Sequence, residues 1–161
     1  MNNSSIIASS SIPAPRVRSF AALMELYEAN FILLRRLMPL LARMEGLFCA
    51  QGRGGLPLYV EILEQDRFTT VLRMFYRFSG EQGSLYEAPD IHVRIYHDAR
   101  VAEAVAGRLR GKECVPKSRS GERCLDVRWR LNRFLYKWLR HFLHRQYDFE
   151  KKIEPLLLIL D

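Results

Sequence analysis

Between positions 58 and 96 apolar residues recur at every second place, whereas on either side they recur at every third or fourth. A period of two puts alternate side chains on one face of a strand, and a period near 3.6 lays a stripe along a helix. A chain written this way must pack helices against a sheet.

The first helical stripe is Phe20, Met24, Tyr27, Phe31, Leu34, Met38 and Leu41. Ser19 stands where an N-cap is needed, since its hydroxyl can accept from the free amides of the first turn. Pro39 lacks an amide and clashes with the preceding turn, so the helix is predicted to stop near Met38. One or two further helical turns are expected over 40–48, then a loop at Gly52-Arg53-Gly54-Gly55. Strands are predicted over 58–63 and 68–78, joined by a hairpin at Gln65-Asp66-Arg67. A polar connection covers 79–89. A third strand over 90–96 sets Ile91, Val93 and Ile95 against His92, Arg94 and Tyr96, the pattern of a meander with one wet face.

Beyond it, Asp98 reads as the cap of a short Ala- and Val-rich helix over 99–108, and 111–125 as a basic loop. A long amphipathic helix follows over 126–144. Its apolar face is Val127, Leu131, Phe134, Leu135, Trp138 and Phe142, and Arg130, Arg133, Lys137, Arg140 and His144 lie on the other side. A short apolar run, 156–160, could add an edge strand or join the core. The expected fold is therefore α+β: a long N-terminal helix, a three- to four-stranded antiparallel sheet, a short helix and a long amphipathic C-terminal helix. Residues 1–17, rich in Ser and Pro, read as a disordered tail to one domain over 18–161.

Charge narrows the range of partners. The net charge is +7, yet 1–99 balance at 10 basic against 10 acidic residues, 100–147 hold 13 against 4, and 148–161 hold 2 against 4. The excess thus sits in one region, which suits an anionic partner better than a diffuse basicity does. No apolar run reaches the roughly 18 residues of a membrane span, and no signal-peptide pattern opens the chain, so a cytoplasmic location is expected. Cys49, Cys114 and Cys124 are an odd set that argues against a disulfide framework. Cys114 and Cys124 with His141 and His144 match no common zinc spacing, and no phosphate loop, nucleophile motif or cofactor signature is present. Neither a metal nor a cofactor is expected.

Several blocks resemble a family of bacterial proteins of unknown function, the YqiB-like proteins. They are Glu28-Ala29-Asn30-Phe31 with Leu33, Arg36, Leu37 and Pro39; Phe68-Thr69-Thr70; Val93 through Glu103, including Tyr96-His97-Asp98-Ala99; and Asp126 with Leu131-Asn132-Arg133-Phe134-Leu135 and Trp138-Leu139. The resemblance implies a cytoplasmic bacterial protein and supplies no activity. The long basic loop after Pro116 departs from the family pattern.

Two candidate sites stand out. Arg94, Tyr96, His97, Asp98 and Glu103 gather ionisable groups at an expected strand-to-helix junction, where His beside carboxylates could bind a ligand or move a proton. The plainer reading makes Asp98 a helix cap and His97 a backbone partner. The second site is the row Arg130, Arg133, Lys137 and Arg140, spaced to project from one helix side and meet phosphates. Its plainer reading is a solvated face. Asn30 and Asn132 fall near apolar stripes and read as structural polar contacts. The leading expectation is a non-catalytic binding or regulatory module with an unidentified partner, protein or other. The alternatives are nucleic-acid binding through the basic helix face and an enzyme centred on Tyr96-His97-Asp98.

Overall fold

The computed structural model describes residues 19–109, 111–116 and 122–153. The N-terminal tail, the run over 156–160 and part of the basic loop lie outside them. Helix α1 spans Phe20–Leu37, and the Ser19 hydroxyl accepts from the Ala22 amide at 3.1 Å. Its buried side is Leu23, Tyr27, Asn30, Phe31, Leu34 and Leu37. Met38 leaves helical geometry (φ −128°, ψ 79°), as a residue before proline tends to.

The expected sheet is corrected from three or four strands to seven among the described residues. They are β1 (Leu47–Gln51), β2 (Leu58–Gln65), β3 (Thr69–Ser79), β4 (Leu85–Tyr96), β5 (Val101–Leu109), β6 (Lys112–Cys114) and β7 (Asp148–Ile153). Their order across the sheet is β6-β5-β4-β3-β2-β1-β7, with every neighbouring pair antiparallel. The chain meanders from β1 to β6. Helix α2 (Glu122–His144) then carries it back across the sheet, so that β7 pairs with β1.

Four local expectations give way, the first being the loop over 111–125, which holds strand β6 and the first turn of α2. Positions 40–48 hold a single 3-10 turn, Leu41–Arg43, before entering β1. The connection over 79–89 already contains the first half of β4. Most important, the short helix over 99–108 is strand β5, and Asp98 caps no helix. It lies in the turn between β4 and β5, where Arg100 takes a left-handed conformation (φ 57°) that reverses the chain. Alanine favours helices, yet Ala102 and Ala104 pair with Ile95 and Val93, so ladder pairing overrides local propensity.

Both helices cover one face of the sheet. Leu58, Val60, Leu72, Met74, Ile91, Val93 and Ile95 meet Leu34, Leu131, Leu135, Leu139 and Phe142 there. Small residues on β5 let the helices come close: a Cβ on Gly107 would stand 2.5 Å from Ile91 Cδ1 and 3.2 Å from Leu131 Cδ2. The opposite face carries an ion-pair network. Arg73 reaches Glu61 at 2.8 Å, Glu87 at 2.9 Å and Asp90 at 3.2 Å, and its guanidinium lies 4.1 Å from the Phe75 ring centroid.

Candidate anion-binding site

Where α1 ends, three chain segments converge on a cleft of about 620 Å³. The last turns of α1 supply Phe31, Ile32, Arg35 and Arg36; the β2–β3 turn supplies Arg67; the β4–β5 turn supplies His97, Asp98 and Arg100. Arg35 and Arg36 oppose the negative end of the α1 dipole. The four guanidiniums face only one carboxylate, Asp98, and among the described residues none of the four is in an ion pair. Two of them rest on aromatic rings instead. Arg67 lies 5.0 Å from the Phe68 centroid, and Arg100 lies 5.7 Å from that of Phe31. A row of unneutralised guanidinium forks suits an oxyanion, which can accept two parallel N–H bonds from each.

His97 is held from behind. Its amide donates to the Phe68 carbonyl at 2.8 Å, and its Nε2 lies 2.7 Å from the Thr70 hydroxyl. That hydroxyl donates to Gln65 Oε1, and Gln65 Nε2 donates to the Leu41 carbonyl at 3.1 Å. Burial, with Arg35 next in effect, lowers the His97 pKa below its usual value, while Asp98 opposes the shift. The surroundings therefore favour the neutral imidazole.

The remaining members of the predicted His97 cluster go elsewhere. Arg94 and Tyr96 alternate with the buried Ile91, Val93 and Ile95, and so belong to the opposite sheet face. Glu103 pairs closely with Arg128 and accepts from the Tyr27 hydroxyl at 3.3 Å, tying β5 to both helices. Burial, then the Glu103 charge, pushes the Tyr27 pKa up to about 12. The Asp98 carboxylate acts on His97 through its charge.

The basic row on α2 is exposed throughout. Arg130, Arg133 and Lys137 line a second groove of about 810 Å³ together with Lys112, Trp129 and Phe134. Arg140 stands apart, over the Tyr136 ring at 5.6 Å. Sequence reasoning passed over Arg35, Arg36, Arg67 and Arg100 as site residues. Each is an ordinary surface arginine in its own segment, and only the fold brings the segments together.

A family model described as "Protein of unknown function (DUF1249)" matches residues 33–148. The uncharacterized protein YqiB of Escherichia coli strain K12 is 30% identical over 128 residues, covering 77% of this chain and 88% of that protein. The YqiB proteins of strains CFT073 and O157:H7 match to the same extent. No solved structure matches.

Proposed function

For a chain that belongs to the DUF1249 family of unknown function, we propose a role as a non-catalytic binding module that holds a small oxyanion ligand, a phosphate group above all, in the cleft of Arg35, Arg36, Arg67 and Arg100. The observation that carries this reading is the convergence on one cleft of four arginines that form no ion pair among the described residues. Like charges gathered in this way repel one another, and an anion relieves the repulsion. Two of the blocks that carry the family resemblance line the cleft, the end of α1 and the turn after Tyr96, and a third, Phe68-Thr69-Thr70, supports it through the Thr70 contact to His97. Arg100 adds a further sign, since it holds a left-handed backbone (φ 57°) that an arginine adopts only at a cost.

Calorimetric titration with inorganic phosphate and pyrophosphate at low ionic strength tests the reading. Saturable binding is expected, tighter for pyrophosphate, and weakened at least about tenfold in an Arg67→Ala/Arg100→Ala double variant, because charge-assisted bonds are each worth that much or more. Titrations without heat or saturation for either anion would exclude it.

A second reading rests on the groove along α2. Lys112, Arg130, Arg133 and Lys137 flank Trp129 and Phe134 there, a mixture of cations and rings that suits single-stranded nucleic acid. Affinity that falls linearly on a log–log plot against salt, with a shallower slope after Arg133→Ala and Lys137→Ala, supports it. No retention of labelled oligonucleotide at low salt rules it out.

A further inference from the structure

The hydrogen bonds behind His97 fix which of its nitrogens carries the proton. The Leu41 carbonyl can only accept, so the Gln65 amide must turn its NH₂ toward it and its Oε1 toward Thr70. Thr70 is fully buried and has one hydroxyl hydrogen, which goes to that Oε1. The Thr70 oxygen is then free to accept alone, and His97 Nε2 must be the N–H that donates to it. In a neutral ring the proton on Nε2 leaves Nδ1 as a bare lone pair. Among the described residues Nδ1 has no partner, and the ring lines the arginine cleft.

We propose that His97 Nδ1 is a hydrogen-bond acceptor set among the cleft's donors, and that it selects oxyanions bearing a hydroxyl proton, such as hydrogen phosphate or a protonated phosphomonoester, over fully ionised ones such as sulfate. This rests on the anion-binding reading of the cleft. Among the described residues lining the cleft, every other ionisable side chain is an arginine except Asp98, and guanidiniums bind any oxyanion without regard to its proton. An acceptor facing an oxygen that cannot donate leaves two lone pairs opposed, so the anion lacking a proton is rejected. The charged groups facing the ring are Arg35 and Arg36 from α1, Arg67 from the β2–β3 turn, and Asp98 and Arg100 from its own turn.

The test compares inorganic phosphate with sulfate at about pH 8, where both are dianions and only phosphate carries a proton. The full chain should bind phosphate about tenfold more tightly than sulfate, the value of one hydrogen bond to a charged group. His97→Phe should still bind both anions but no longer tell them apart, the two affinities converging as the phosphate-specific hydrogen bond is lost. Thr70→Val removes the acceptor for Nε2–H, so the ring's proton can move to Nδ1, which then donates to either anion, and the preference should vanish. Melting curves of both variants establish that they fold. Equal affinity of the parent for the two anions, or a preference that survives His97→Phe, overturns the proposal while leaving the arginine cleft intact. If the parent binds neither anion, the cleft reading falls and this one with it.

Discussion

Asn132 shows how much one side chain can settle. Its Oδ1 accepts from the Ala104 amide at 2.8 Å, and its Nδ2 donates to the Ala104 carbonyl at 3.2 Å and the Arg128 carbonyl at 2.8 Å. Asn30 from α1 donates to the Asn132 carbonyl at 3.3 Å. The edge of β5 thus bonds to a helix where another strand would otherwise pair. Asn132→Leu strands both backbone groups of Ala104 in the core and should lose about 2 kcal/mol or more in urea denaturation, since each orphaned group costs about 1 to 3 kcal/mol. Trp138, 7% exposed, donates from its indole to the Tyr76 hydroxyl at 3.1 Å and meets that ring edge-on. Trp138→Ala is expected to cost about 3 to 5 kcal/mol, read from the same denaturation curves. Asp90 behaves differently. Burial raises its pKa against the pull of Arg73, so the folded state favours the protonated form. A raised carboxyl pKa means that this group's stabilising contribution is present in acid and is lost as pH rises through its titration. Asp90→Asn should therefore melt higher than the parent at neutral pH and level with it in acid, where both side chains are neutral; a variant that melts lower at neutral pH contradicts this account.

At the scale of elements, the strongly periodic pieces were legible in the sequence. Helix α1 with its Ser19 cap and its stop at Pro39, the hairpin after β2 and the long basic helix all follow from spacing and turn chemistry, although Phe20 is 70% exposed and Leu23 is buried where the expected stripe had Phe20 and Met24. What misled was β5. Its alanines are small because α1 and α2 lie across it, a reason no local reading can supply, and the same composition read alone suggests a helix. Strand β1 is five residues long and β6 three, too short to establish a period. The candidate site was half legible for a related reason. His97 and Asp98 share one turn and were noticed, whereas Arg35, Arg67 and Thr70 come from other segments that only the folded chain sets beside them. The β4–β5 turn also offers a test that separates fold from function. Arg100→Gly removes a side chain from a left-handed position, so stability should hold or rise by up to about 1 kcal/mol. Anion affinity should fall in the same variant. Thermal melting and phosphate titration of one sample read both, and a variant that loses stability but no affinity reverses the assignment.

Over the whole molecule, no helix among the described residues is long and apolar enough to cross a membrane. The two basic features, the cleft at the end of α1 and the groove along α2, draw on separate arginines, so ligands at each should be separable by mutation. The strand order also sets a schedule. β7 follows α2 yet pairs with β1, joining Leu47 to Ile153. During synthesis every other described strand leaves the ribosome first, and the hydrogen-bonding rim of β1 stands bare until the helix has crossed the sheet. A bare rim is a template for any extended segment nearby, including the same rim on another nascent copy. The return of the chain over its own sheet is thus also a guard, and the interval before it arrives is when this protein is most exposed to pairing with the wrong neighbour.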